Sequence, residues 1–339
     1  MKRIAAILVF SSLIFLSVSC VKRKRDLKDV DFRAEMTQFV GELSNYAKGK
    51  NPDFLIIPQN GESLAEQSNY LDYTDGVGRE DLNYGYDNDG DATGSSDKNE
   101  MVKYLDMFKA RNQFVLVTDY VFSGSEDVPH FDGATTAKTA SAYSYCISKG
   151  YIPYSTVRNL NYLTISSGHE PPEDSIASVE DINSFLYYLQ PAESVSRSEY
   201  INNIAATNFD LVIMDMTYDG LEEFTKTEIQ TIKQGLNNGK GGYVVAYMSI
   251  GEAEDYRYYF DSGWTKNNGK VRSSAPDWLY KENPDWEGNY KVLYWYDDWK
   301  KIIYGSSEAY LDKIIEKGFD GVYMDIIDAF EYYEDIMGM

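Results

Sequence analysis

The sequence predicts an α/β protein folded as a (β/α)8 TIM barrel. Short apolar runs recur along the chain, most are followed by a stretch with helical periodicity, and several end in a polar or acidic residue. Such alternation feeds a parallel sheet, and eight well-formed units are enough to close a barrel. An open doubly wound sheet is the alternative. No strand, however, is followed by GxGxxG or GxxxxGK[ST], so no nucleotide fingerprint supports it.

The first helix spans Val30–Gly49, with Phe32, Met36, Phe39, Val40, Leu43 and Tyr46 on one face. Asp53–Pro58 is a buried strand running into Gln59, Asn60, Gly61 and Glu62, and Ser63–Asn69 is a short helix. Asp75–Arg79 is a weak strand that delivers Glu80 and Asp81. A polar loop over Asn83–Asn99 leads to a helix over Glu100–Ala110, then to a strand over Phe114–Thr118 that ends in Asp119 and Tyr120. Thr135–Ser148 is a helix closed by Gly150. Tyr151–Tyr154 is the weakest of nine strand candidates. Ser166–Asp181, with paired prolines, acids and no periodicity, reads as a linker.

Beyond it the alternation restarts. Ser184–Leu189 is a strand before Gln190, Glu199–Ala206 a helix, and Asp210–Met214 a strand before Asp215. Thr225–Asn238 is a helix, and Tyr243–Met248 a strand before Ser249, Ile250, Gly251 and Glu252. Ala253–Tyr290 is long and irregular, Lys291–Trp295 is a further strand candidate, and Asp298–Lys317 is mostly helical. The last unit, Gly318–Asp328, carries the apolar run Phe319, Val322, Met324, with Asp325 at its end and a helix over Ile326–Tyr333. Ligands bind at the carboxyl ends of parallel strands, so Asp325 faces chemistry unless it merely caps that helix.

A length of 339 residues, 43% of them hydrophobic, suits one barrel-sized domain with additions. The net charge of −22 repels phosphates and excludes a nucleic-acid partner, while it suits a cationic ligand. The 30 tyrosines and 5 tryptophans suit sugar binding, although core filling accounts for most of them. Met1–Cys20, with Lys2 and Arg3 ahead of an apolar run from Ile4 to Val18, reads as an export signal too short to span a bilayer. Its Leu16-Ser-Val-Ser-Cys20 ending resembles a bacterial lipoprotein signal. Cys20 is therefore expected to carry a lipid that anchors the exported protein to a membrane; without it the protein is secreted. Val21–Val30, rich in lysine and arginine, reads as a tether. The other cysteine, Cys146, then has no disulfide partner.

The strand-end carboxylates are Glu80, Asp119, Asp215, Glu252 and Asp325. Hydrolysis of a glycosidic bond needs two such groups, one to protonate the leaving oxygen and one to attack or to activate water. The two histidines, His130 and His169, lie in proline-containing polar loops and no cysteine cluster exists, which disfavours a Ser-His-Asp triad or a zinc site. No metal or cofactor is expected. Asp87, Asp89 and Asp91 resemble the start of a calcium loop, but Ala92 stands where that motif requires glycine.

The segment Tyr247-Met-Ser-Ile-Gly-Glu-Ala-Glu-Asp-Tyr-Arg257 is the most specific in the chain. With Gly318–Asp328, Pro276–Leu279, Asn283–Trp286 and Tyr294-Trp295 it resembles glycoside hydrolase family 114, the endo-α-1,4-polygalactosaminidase-like barrels. Ser184–Gln190 and Asp210–Asp215 resemble the family's first two strands, Phe54–Glu62 and Asp75–Tyr84 its later ones. The order is inverted: residues 31–158 resemble the family's C-terminal half, residues 182–339 its N-terminal half, and 159–181 bridges them. The resemblance implies one circularly permuted barrel over 31–339. It also implies that the Val30–Gly49 helix packs between the strands at Gly321–Asp325 and Asp53–Pro58.

Carried onto matching positions, the resemblance places the catalytic pair on Asp325 and Glu80. Asp325 would be nucleophile or electrostatic stabiliser and Glu80 general acid/base, with the roles interchangeable. Glu252, Asp215, Asp255 and Arg257 are further candidates, Glu252, Asp215 and Arg257 for substrate binding, and Glu252 is alternatively an ion-pair partner of Arg257. Tyr187, Gln190, Tyr247, Asn60, Tyr120 and Tyr323 would line the cleft. Trp295 would stack on sugar, with Trp278 and Trp286 pinning the long loop. The implied substrate is an α-linked, partly cationic amino-sugar polymer cleaved within the chain. A catalytically silent glycan-binding barrel is the competing function.

Overall fold

The computed structural model describes residues 27–122, 129–173 and 176–339, and within them the protein is a mixed α/β structure with parallel sheets. The signal stretch, Cys20 and the first part of the tether lie outside the described residues. Leu27 is buried, so packed chain begins within the stretch read as tether.

Helix α1 (Phe32–Lys50) is capped by Asp31, whose side chain accepts from the Ala34 N–H. Strand β1 (Leu55–Pro58) follows, then a 3₁₀ turn (Glu62–Glu66), helix α2 (Tyr70–Tyr73) and strand β2 (Gly76–Glu80). Helix α3 (Ser95–Lys109), strand β3 (Phe114–Tyr120), helix α4 (Gly133–Lys149) and strand β4 (Ile152–Thr156) complete the first half. Among the described residues of 159–181 the one regular element is a 3₁₀ turn, Val179–Asp181. The second half carries β5 (Phe185–Tyr187), α5 (Arg197–Ala205), β6 (Leu211–Met214), α6 (Lys226–Gly239), β7 (Tyr243–Ser249), β8 (Glu252–Glu254), β9 (Leu279–Glu282) and β10 (Asn289–Val292). It ends with α7 (Asp297–Ile303), α8 (Tyr310–Lys317), β11 (Gly321–Asp325) and α9 (Ala329–Met337).

One parallel sheet has the order β1-β11-β7-β6-β5 and a second has β2-β3-β4. Among the described residues the first and last strands are neighbours: β1 pairs with β11 from Leu55↔Gly321 to Pro58↔Met324. Past the end of β1, Gln59 bridges Gly78 of β2, and the Asn60 N–H donates to the Gly78 carbonyl. At the opposite edges the rings of Tyr154 on β4 and Phe185 on β5 meet at 5.5 Å.

Two strand assignments change places. The weak candidate Tyr151–Tyr154 is strand β4, at an edge of its sheet, where Pro153 removes no needed ladder bond. Lys291–Trp295 supplies no parallel strand. Asn289–Val292 is instead the middle strand of an antiparallel sheet, β8-β10-β9, inserted after β7. Its residues alternate between half-buried and buried, the pattern of a strand with one wet face, whereas β1, β3 and β6 are buried throughout. Trp278 packs in this insertion against Trp264 and Trp299, but Trp286 is 54% exposed and pins nothing. The last helix starts at Ala329 rather than Ile326 because Ile326 has a left-handed backbone.

Helices α1 and α9 meet over the β1–β11 seam. Arg33 forms a forked pair with Glu334 at 2.7 and 2.9 Å, donates to Ser63, and lies 4.3 Å from the Phe330 ring centre. The pair is partly shielded from water, so its contribution exceeds that of an exposed ion pair. Arg33→Ala is expected to lower unfolding stability by about 1–2 kcal/mol in urea titration. An unchanged midpoint would contradict this packing of the two chain ends.

Candidate active site

Side chains on parallel neighbours at the same register point the same way. Tyr323 lies level with Tyr247 and Ile57, so Tyr323 and Asp325 of β11 share a face with Tyr247 of β7 and Gln59 beyond β1. On β2 that face carries Gly78 and Glu80. A Cβ at Gly78 would meet the Tyr323 hydroxyl at 1.9 Å, so the ring occupies the space a side chain would take. Tyr187 of β5 donates to Gln59 Oε1 at 2.9 Å and packs against Tyr323 at 5.1 Å. The buried hydroxyls of Tyr120, Tyr187, Tyr247 and Tyr323 therefore form a floor, with the half-buried Asp325 and Glu80 above it.

Both carboxylates are held. Asp325 Oδ2 accepts from the Tyr247 hydroxyl at 2.7 Å and Oδ1 from the Ile326 N–H at 2.7 Å. Glu80 Oε1 accepts from the Tyr120 hydroxyl, and Oε2 takes a longer 3.4 Å bond from the Asn60 side-chain amide. Asn60 also accepts from the Glu80 N–H at 3.2 Å, which fastens the two strand ends together. One strand lies between β11 and β2, so their backbones are about 10 Å apart. Burial first, and then the negative charge of Glu80, push the Asp325 carboxyl well above the usual aspartate range.

Asp325 does not cap the next helix. The cap position of α9 belongs to Asp328, whose side chain makes no cap bond.

Other candidates have different surroundings. Asp215 and Arg257 are buried and joined by a fork of 2.8 and 2.7 Å, and Arg257 also bonds Glu254 at 2.7 Å. Their charges face one another, so they brace the turn beyond β8. Arg257 thus pairs with Asp215 and Glu254, not with Glu252. Glu252 is buried with Oε1 bonded to Asn283 at 2.9 Å and Lys291 at 3.1 Å, and its Oε2 has no protein partner. Asp119 is an internal anchor that accepts from Asn83 and Tyr84. Gln190 is exposed on the loop beyond β5. Trp295 is half-buried among Phe32, Tyr294 and Tyr333, none of them a site candidate. Asp89 of the acidic loop is bonded to Arg158 at 2.7 Å. Among the described residues no group of three or more His, Cys, Asp or Glu is arranged to hold a metal ion.

Sequence reasoning passed over Gln59, whose position one residue past an apolar run was its signal. It also missed the carboxylates beside Arg79, which points away from Glu80 on the alternate face of β2. There a cavity of ≈ 230 Å³ is lined in part by Glu62, Arg79, Asp328 and Glu331. Burial and then Glu331 push Asp328 up to about 7.

Parallel strands that present paired carboxylates at their carboxyl ends form the kind of scaffold on which glycoside hydrolases work. Residues 176–338 match the model of glycoside-hydrolase family GH114, and this match supports assigning the chain to that family. Similar proteins include an uncharacterized protein of Methanocaldococcus jannaschii, 45% identical over 153 residues, 44% of this chain and 38% of that protein. An uncharacterized protein of Thermotoga maritima is 39% identical over 153 residues, 44% of this chain and 40% of its own length. One of Deinococcus radiodurans is 37% identical over 138 residues, 41% and 39% of the two chains. The match thus spans about two fifths of each of these relatives. The family match contains Asp325 but not Glu80, Asn60 or Tyr120, which the fold brings to it.

The raised Asp325 makes a stability prediction. An acid whose folded pKa exceeds its unfolded value costs nothing below the unfolded value; the cost grows as pH rises from the unfolded value to the folded one and is constant above it. Asp325→Asn removes that cost. Its melting temperature should exceed that of the wild type by a margin that widens between pH 4 and pH 8. A margin independent of pH would contradict the half-buried, charge-crowded setting of Asp325.

Proposed function

We propose that the protein is an exported glycoside hydrolase that cleaves an α-linked amino-sugar polymer within the chain, with Asp325 and Glu80 as its acids. One observation carries the reading: two carboxylates at the ends of β11 and β2, flanking β1, each accepting from a buried tyrosine hydroxyl, Tyr247 for Asp325 and Tyr120 for Glu80. Both oxygens of Asp325 receive donors, which suits an anion placed against the anomeric carbon as nucleophile or stabiliser. Glu80 has one firmly bonded oxygen and one loosely bonded, which suits exchange of a proton with the glycosidic oxygen.

Supporting the scaffold reading are the β1–β11 ladder, the Gln59–Gly78 bridge and the Tyr154–Phe185 contact. We read these as one closed eight-stranded barrel over 31–339, circularly permuted, with α1 packed over the seam between the old termini. An acidic net charge favours a substrate bearing ammonium groups. Export and lipid anchoring at Cys20 rest on the first twenty residues of the sequence.

The test is mass spectrometry of partly deacetylated α-1,4-galactosaminogalactan after incubation with wild type, Asp325→Asn and Glu80→Gln. Wild type should release oligosaccharides, and each variant should lose activity by at least about a thousandfold while still folded. An aryl glycoside with a good leaving group needs no acid, so it should restore turnover to Glu80→Gln and not to Asp325→Asn. Binding without any cleavage by wild type would move the reading to a silent glycan-binding barrel.

A further inference from the structure

Both candidate carboxylates are followed by a residue with a left-handed backbone: Asp81, with φ 62°, and Ile326, with φ 59°. Aspartate tolerates this region. A β-branched isoleucine there is an outlier, because its side chain crowds the backbone, and such strain persists only where the surroundings over-determine it. Here they do.

The turn Ile326–Asp328 is clamped between the two strands that flank β11. On the β7 side a Cβ on Gly251 would meet the Ile326 carbonyl oxygen at 2.2 Å and its Cγ2 at 2.6 Å. On the β1 side a Cβ on Gly61 would meet Ile327 Cγ2 at 2.7 Å and the Asp328 nitrogen at 3.1 Å. The Ile250 N–H donates to the Asp325 carbonyl at 3.1 Å and fixes where the turn begins. Held there, the Ile326 nitrogen lies 2.7 Å from Oδ1 of the preceding side chain and donates to it.

We propose that Ile326 is a positioning residue, whose strained and glycine-clamped peptide aims its N–H at Oδ1 and fixes the Asp325 carboxyl for the reaction. The proposal rests on Asp325 belonging to the catalytic pair. The groups that face Asp325 are Glu80 from β2, the hydroxyls of Tyr187 from β5, Tyr247 from β7 and Tyr323 from β11, and Asp328 at the start of α9. The Tyr247 hydroxyl can reverse and accept. The Ile326 N–H can only donate, so it always favours the ionised carboxyl.

The experiment is a ¹³C NMR titration of the Asp325 carboxyl in the full chain, without substrate, for wild type, Ile326→Gly and Ile326→Asn. Glycine lets the turn relax, while asparagine tolerates the left-handed region and keeps the N–H in place. Loss of a donor to the ionised form raises the titration midpoint. The Gly variant should therefore titrate about one pH unit above wild type, and the Asn variant close to it. On the glycan, kcat should fall about tenfold in the Gly variant at unchanged KM and recover in the Asn variant. A wild-type midpoint in the Gly variant overturns the proposal. So does an equal rise in both variants, which would assign the effect to the isoleucine side chain. A wild type that shows the expected titration pattern across the three proteins but never cleaves the glycan would refute the glycosidase reading alone.

Discussion

The parallel ladder between β1 and β11 is the constraint on which the rest of the site depends. It joins the first strand of the described chain to the last, and its register pairs Pro58 with Met324. Asp325 then lies level with Gln59, and the Gln59–Gly78 bridge sets where β2 presents Glu80. A shift of one residue along this ladder would turn Tyr323 and Asp325 away from Gln59 and Gly78. Ile56, Ile57, Val322 and Met324 are all fully buried, so a slip would expose no polar face and bury no alternative one; it would misfit a close-packed interior.

Around this ladder the protein separates two kinds of buried charge. The Arg257 guanidinium is matched by Asp215 and Glu254 with short bonds on every side, the condition under which burying charge is tolerable. Asp325 and Asp328 are not matched in that way, and burial pushes both upward. Stability is thus lower than it would be with neutral residues there, and that is the usual setting of acids that work near neutral pH. The triad holds the turn beyond β8 in place, while the crowded acids face the space between β11, β1 and β2.

Much of the fold was legible because its signals are local. Asp53–Pro58, Phe114–Thr118, Asp210–Met214 and Tyr243–Met248 are continuous apolar runs, and such runs become buried parallel strands. Where sequence reading went astray, the deciding force was long-range. The weak candidate Tyr151–Tyr154 became strand β4 through its ladder with β3, and the strand candidate Lys291–Trp295 was claimed by the antiparallel insertion after β7. The structure brings Asp325, Glu80, Tyr187, Tyr247, Tyr323, Asn60 and Tyr120 together. Gln190 and Trp295 do not join them: the first extends past a short strand into solvent, and the second is taken up by an aromatic cluster at the α1–α9 seam. Nor could spacing show that Arg257 chooses Asp215, which is far away in sequence, over nearby Glu252. Left-handed backbone at Ile326 has no sequence signature at all, since its cause lies in glycines of two other segments.

The central claim is that Asp325 and Glu80 act on one glycosidic bond, and a crystal structure of Glu80→Gln with a bound galactosamine oligomer tests it most directly. The account predicts a glycosidic oxygen within hydrogen-bond reach of residue 80 and an anomeric carbon facing the Asp325 carboxyl, above Tyr247 and Tyr323. An oligomer lying elsewhere on the protein, with these two side chains out of reach of any glycosidic bond, would contradict it.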